Sequence, residues 1–289
     1  MSTSETPAPT APTDTHPAGT SPDRPARVGV QIQPQHRSIA NMRQACANLE
    51  DIGVDIIFNW DHFFPLAGEP DGLHYECFTL LAAWAEATER VELGPLVACN
   101  SYRNPQLLAD MARTIDHLSE GRFILGIGSG WFERDYTEYG YEFGTAGGRL
   151  DALARDLPLI EQRWAALNPA PVRDIPVLIG GGGEQKTLRI VARHADIWHG
   201  FGEPQVIAHK HAVLDERCAE IGRDPREIER SAGVAFTPGR APEVVSDYPG
   251  NAQELYDVGT RLFTVALDEE LDYGKVRDLV AWRDAVNQR

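Results

Sequence analysis

Four successive glycines, Gly180 to Gly183, stand between an apolar run of buried-strand type, Ile175 to Ile179, and an amphipathic segment that begins Glu184-Gln-Lys-Thr-Leu188. A run without side chains lets consecutive backbone N–H groups and a following helix N-terminus face an anion, so this spacing offers a phosphate site. A flexible strand-to-helix turn is the plainer use of glycine at such a place. No Gly-Lys-Ser/Thr follows the run, and the acidic residue of a dinucleotide fingerprint is missing, so neither a P-loop nor a Rossmann site is indicated. The second candidate is the Asp61-His62 pair inside Asn59-Trp-Asp-His-Phe-Phe-Pro65. An imidazole exchanges protons near neutral pH, and the adjacent carboxylate is placed to orient a donor or pair with the ring; satisfying a backbone carbonyl is the simpler role for such a histidine.

A third stretch, Gly126-Ile-Gly-Ser-Gly-Trp131, has the look of a nucleophile elbow. An elbow turns straight into a helix, whereas roughly twenty aromatic and acidic residues intervene here before the next helical pattern. Gly128, Ser129 and Gly130 therefore read as a rim that lets a flat ring approach the backbone. Trp131, Phe132, Tyr136, Tyr139, Tyr141 and Phe143 form an aromatic loop able to stack on a planar ligand or to pack on the surface.

The elements that must position these residues follow from the alternation of short β-type runs with helical segments after Arg27. Strands are expected at 28–32, 54–58, 91–97, 122–127, 176–179, 196–199, 230–235 and 261–265. Helices are expected at 38–51, 76–88, 105–118, 149–165, 184–192, 204–221, 251–258 and 274–287. In the third helix Asn104 is a cap candidate, Pro105 suits the first turn, and Leu107, Leu108, Met111, Ile115 and Leu118 recur at helical spacing. Gly121 is expected to take the left-handed conformation that stops it. Eight such βα units make a single-domain (β/α)₈ TIM barrel, residues 27–289, with an open doubly wound sheet as the other arrangement. In a barrel the loops after the strands build the site, which gathers the candidates above on one face.

Composition narrows the partners. The chain has 289 residues with 27 Lys+Arg against 43 Asp+Glu, a net charge of −16. Nucleic acid and anionic membranes select basic surfaces, so neither is expected as a partner; the charge balance does not by itself identify a substrate. Cys46, Cys77, Cys99 and Cys218 are widely spaced, as for reduced thiols in a cytoplasmic protein, and no metal site is expected from them or from His194, His199, His209 and His211, which lack carboxylate companions in sequence. Residues 1–26, rich in Thr, Ser, Pro and Ala, read as a disordered tail.

Taken together, Asn-Trp-Asp-His-Phe-Phe-Pro, Glu-Leu-Gly-Pro-Leu-Val followed by Tyr-Arg-Asn-Pro, Gly-Ile-Gly-Ser-Gly-Trp, and the glycine run followed by Lys-Thr-Leu-Arg resemble the luciferase-like superfamily of (β/α)₈ oxidoreductases. Within it the chain is most similar to the branch that uses the deazaflavin coenzyme F420. The resemblance runs from about Arg27 to Asn287. It implies that His62 lies at the reactive face of the cofactor ring with Asp61 beside it, and that Leu96–Val97 is a cis peptide backing the ring. It places Asn100, Gly128, Ser129, Gly130 and Trp131 around the ring, and Gly180, Gly181, Gly182, Gly183 and Lys186 at the phosphate. Lys186, Arg103 or Arg149 would meet the acidic tail of the coenzyme. The implied activity is hydride transfer between F420 and a small organic substrate, in a homodimer. Sugar-phosphate dehydrogenases of this branch carry a glutamate where this chain has Trp131, so their substrate and acid role are not carried over; Glu133 is a distant stand-in. An FMN-dependent monooxygenase of the same superfamily is the alternative, and a non-catalytic flavin- or deazaflavin-binding protein is the alternative from another class.

Overall fold

The computed structural model describes residues 24–234, 247–267 and 273–289. Among these, nine strands are present: β1 (Arg27–Ile32), β2 (Ile56–Asn59), β3 (Glu92–Pro95), β4 (Ala98–Cys99), β5 (Leu125–Gly128), β6 (Val177–Gly180), β7 (Ile197–Gly200), β8 (Glu229–Gly233) and β9 (Leu262–Leu267). All neighbours pair in parallel, in the order β3-β2-β1-β9-β8-β7-β6-β5-β4. Of the expected third strand, 91–97, only β3 is strand; the cis Leu96–Val97 peptide follows it, and β4 lies just beyond the expected end. The ring closes where the Leu93 N–H donates to the Arg122 carbonyl at 3.0 Å and Leu93 O accepts from Ile124 N–H at 2.8 Å. The expected TIM barrel is the fold. The last residue of the predicted seventh strand 230–235, Ala235, lies outside the described residues.

Helices follow the strands: α1 (Ile39–Ile52), α2 (Cys77–Ala87), α3 (Pro105–Leu118), α4 (Glu133–Tyr139), α5 (Ala146–Ala166), α6 (Thr187–His194), α7 (Pro204–Ile221), α8 (Tyr248–Asp257) and α9 (Gly274–Asn287). Local chemistry sets their ends. Asn104 accepts from the Gln106 and Leu107 amides ahead of Pro105, and Gly121 takes φ +86° after α3, both as the sequence predicts. α4 falls in the aromatic loop where no helix was expected, and α5 starts three residues early because Thr145 caps it through Gly148 N–H.

Alternation along each strand sorts side chains into two layers. Ile56, Phe58, Ile124, Leu178, Ile197 and Leu262 fill the barrel, while Val28, Val30, Ile57, Phe123, Ile179 and Trp198 face the helices. Each fully buried side chain of the inner set stabilises the fold by about 2 kcal/mol, so the closed barrel is a stiff frame for the loops at its C-terminal rim. At the opposite end Ala26 is buried, held by Asn287 through N–H···Oδ1 at 2.7 Å and Nδ2–H···O at 2.9 Å.

Candidate active site at the C-terminal rim

Because every strand runs the same way, Asn59, Cys99, Gly128, Gly180 and Gly200 end on one face, and the candidate loops meet there. The His62 ring leads the group. It stands edge-on to Trp60, Trp131 and Phe132, with centroids 5.8, 5.7 and 5.5 Å away, and its side chain is 12% exposed. Trp131 itself is 64% exposed and forms an outer lip. Trp60 is fixed in turn by its indole N–H, which donates to His74 Nε2 at 3.1 Å; burial pushes the His74 imidazole down to about 4, keeping it a neutral acceptor.

The carboxylate paired with His62 is Asp135 on α4, not the neighbouring Asp61. His62 Nδ1 and Asp135 Oδ2 are 2.7 Å apart, the Tyr102 hydroxyl donates to the same oxygen at 2.9 Å, and Phe63 N–H donates to Oδ1 at 3.0 Å. Asp61 is buried and turned away. It is held by both arms of the Arg103 guanidinium at 2.6 and 2.9 Å and accepts from Cys99 N–H at 2.9 Å. Adjacent residues of an extended segment project to opposite sides, which is why sequence adjacency misdirects here. Arg103 also pairs with Glu76, the cap of α2, at 2.8 Å, so it ties its own loop to both ends of the β2–α2 connection and is not a free cation at the rim.

The glycine rim has a packing reason as well. An ideal Cβ on Gly130, at φ +81°, would lie 2.0 Å from the Tyr136 hydroxyl and 2.5 Å from Cys99 Sγ, so only glycine fits. Arg149 ties the rim down, donating to Gly130 O at 3.1 Å and Phe143 O at 2.8 Å while lying over the Phe143 ring, and so is not the exposed cation the sequence proposed. Ser129 supplies its carbonyl to Tyr136 at 3.4 Å, and burial raises the Tyr136 hydroxyl pKa. Val97 fits between the side-chain-free faces of Gly128 and Gly180. The Leu96 carbonyl accepts from Gln31 Nε2 at 2.8 Å.

At the glycine run, the helix starts at Thr187 and not at Glu184, because residues 184–186 form a turn and Lys186, at the cap position, offers no side-chain acceptor. Gly181, at φ +123°, is anchored: its N–H donates to His199 O at 3.1 Å and its carbonyl accepts the Trp198 indole N–H at 2.8 Å. Among the described residues the Gly182 and Gly183 amides have no protein acceptor. Two lysines flank them. Lys186 pairs with exposed Asp151 at 2.6 Å, and Lys210 of α7, which sequence spacing did not reveal, hydrogen-bonds Glu184 and holds its carboxyl below the ordinary value.

At the C-terminal ends of β4 and β7 two buried polar atoms have no partner among the described residues: Asn100 Oδ1, whose Nδ2 donates to Asp156 at 2.8 Å, and His199 Nε2, whose Nδ1 meets Ser231 Oγ at 2.8 Å. Burial pushes the His199 imidazole down to about 3. His194, His209 and His211 lie on helices and His199 on β7, with His199 and His211 buried; the expected lack of carboxylate companions is corrected for His194, which meets Glu161 at 2.9 Å, and for His209, which meets Glu184 at 3.1 Å.

The family model for luciferase-like monooxygenases matches residues 24–270. The chain belongs to that family. A Mycobacterium tuberculosis protein assigned as a coenzyme F420-dependent oxidoreductase is 29% identical over 232 residues, 70% of this chain and 64% of the relative. An F420-dependent glucose-6-phosphate dehydrogenase of Amycolatopsis mediterranei is 27% identical over 186 residues, 58% of this chain and 54% of the relative. The matched stretch thus spans between about half and two thirds of these curated relatives. Among solved structures, an F420-dependent secondary alcohol dehydrogenase in complex with an F420-acetone adduct superposes with TM-score 0.78 at 14% identity, over 90% of this chain and 99% of that one, a likeness of fold.

Proposed function

We propose that this protein is an F420-dependent oxidoreductase acting on an uncharged, largely apolar small molecule, with His62 exchanging the substrate proton. The observation that carries the reading is the pairing on one rim of a backbone anion cradle with a caged imidazole. Gly182 and Gly183 provide two amides, unpaired among the described residues, for a phosphate, and Lys186, in an exposed ion pair, and Lys210, in a half-buried one, provide positive charge that can exchange partners. Val97, Gly128, Gly180 and the unpaired Asn100 Oδ1 would border the ring of the coenzyme, and their shapes and polar atoms fit a flat, partly polar group. When bound, the coenzyme supplies a ring carbon able to accept or give up hydride, chemistry that the side chains lack.

The protein's own part is orientation and proton handling. Nε2 of His62 has no partner among the described residues, so it is available to a substrate hydroxyl or carbonyl. Trp60, Trp131 and Phe132 stand edge-on around the imidazole and favour apolar substrate groups beside it. Among the described residues the arginines of the rim near His62 are already engaged: Arg103 serves Asp61 and Glu76, Arg134 serves Asp71 and the Pro70 carbonyl, and Arg149 serves loop carbonyls. An alcohol, a ketone or an activated alkene suits this pocket better than a sugar phosphate. A homodimer is part of the same proposal, and the exposed Leu107 and Leu118 of α3 give it an apolar patch to bury. Among the described residues no helix is long and apolar enough to cross a membrane.

The family's flavin chemistry gives the second reading, an FMN-dependent monooxygenase. Parallel fluorescence titrations with F420 and FMN at physiological salt separate the two. Tighter F420 binding, followed by oxidation of reduced F420 on adding an uncharged ketone or alkene, supports the proposal. Tighter FMN binding with substrate-dependent oxygen uptake overturns it.

A further inference from the structure

The geometry points to Asp135 as a positioning residue that fixes the His62 tautomer, holding the proton on Nδ1 and presenting an unprotonated Nε2 to the substrate. This rests on the reading of His62 as the proton-exchanging group. Asp135 is completely buried on α4, 73 residues from His62 in sequence, and it is approached by three polar groups. Two of them donate to it. Phe63 N–H is a backbone donor at 3.0 Å from Oδ1. The Tyr102 hydroxyl, 2.9 Å from Oδ2, is kept protonated because burial drives its pKa well above the usual range. A carboxylate that already accepts from two donors is an acceptor to its third neighbour as well, so the His62 nitrogen 2.7 Å from Oδ2 carries the hydrogen. The neutral imidazole has one N–H, and Nε2 is therefore bare.

The same contacts fix where the ring points. Tyr102 and Phe63 hold the carboxylate from two sides, and the Phe63 ring stacks on Tyr139 of α4 at a centroid distance of 3.9 Å. Phe132, the residue before α4, and Trp131 stand edge-on to the imidazole. α4 thus delivers both the carboxylate that orients His62 and the aromatic lip that covers it. An amide at position 135 would keep the size but could donate to Nδ1 through its NH₂, which admits the opposite tautomer; in a hydrolase Asp-His pair that exchange lowers turnover by about 10⁴.

Ring ¹⁵N shifts of histidine-labelled protein without coenzyme test this, with the His62 signals assigned by their loss in His62→Asn. The expected wild-type spectrum near neutral pH shows a protonated Nδ1 and an unprotonated Nε2. Asp135→Asn should convert the ring to a mixture containing the Nε2–H form, whereas Asp135→Glu and Tyr102→Phe should retain Nδ1–H. In turnover assays Asp135→Asn should lower kcat at least tenfold with coenzyme Kd within about threefold, and Asp135→Glu should recover part of the loss. A wild-type ring protonated at Nε2, or an Asp135→Asn ring identical to wild type, would overturn the assignment. Because the spectra need no coenzyme, they decide the role of Asp135 even if F420 is not the cofactor.

Discussion

At the glycine run the polar groups are backbone amides and exposed side chains, and the charges around it, Lys186 with Asp151 and Lys210 with Glu184, sit in solvent-accessible pairs. At His62 the polar groups are the buried side chains of Asp135 and Tyr102, hydrogen-bonded to one another among aromatic rings, with Asp61 buried behind them on Arg103. The contrast separates two tasks. A region built on exchangeable surface pairs can release its cations to an incoming anion at little cost, since such pairs contribute only about 0–1 kcal/mol. A region built on a buried network holds one group in one geometry, which is what proton transfer demands and reversible capture of a large ligand does not.

If that division holds, the largest effect belongs to the buried side. His62→Asn should lower turnover by about 10²- to 10⁴-fold, the usual worth of a general acid–base group, measured under conditions where chemistry limits the rate. Nearly full turnover would remove the proton role and send the search to Glu133 or Tyr136. Asp61→Asn should act on stability first. It leaves the Arg103 guanidinium, only 10% exposed, without its bidentate partner, at a cost of about 3 kcal/mol. For a chain of this size that lowers Tm by roughly 6–12 °C, readable by calorimetry. An unchanged Tm would return Asp61 to the list of groups that act on the ligand.

Smaller effects lie on the exposed side. Lys210→Ala should weaken coenzyme binding by about two- to fivefold, with the loss shrinking as salt is raised, as expected of a partly screened charge. A salt-independent loss would point to packing of the Lys210 stem near Gly182 instead. Removing residues 1–23 should change neither Tm nor affinity; a cut that also takes Ala26 should lower Tm, because Ala26 is buried and clamped by Asn287.

The sequence disclosed the barrel because βα alternation is a periodic signal, and the candidate loops because strand ends of a parallel barrel share a face. It disclosed the ends of α3 through Asn104, Pro105 and Gly121, whose roles are local. Alternation of elements did not end β3 at Pro95 or place β4 at Ala98–Cys99; only the resemblance marked Leu96–Val97 as a cis peptide. Non-local partners were also invisible. Asp135 reaches His62 from 73 positions away, and Lys210 reaches Glu184 from 26, and no spacing rule connects such pairs. The late start of α6 belongs to the same class of error: a helix was expected to open directly after glycine, but Gly181 to Lys186 contain no side-chain cap to nucleate it there.

Fluorescence titration of F420 into Gly182→Val and His62→Asn, side by side with wild type, tests the division of labour most directly. Gly182 has ordinary backbone geometry and only the Lys210 side chain near an added Cβ, so valine there obstructs the anion cradle without straining the loop, unlike a substitution at Gly181 with its φ of +123°. The account predicts at least a tenfold rise in Kd for Gly182→Val, about 1.4 kcal/mol, and a change within about threefold for His62→Asn. Equal losses in the two variants, or a Gly182→Val affinity equal to wild type, would contradict it.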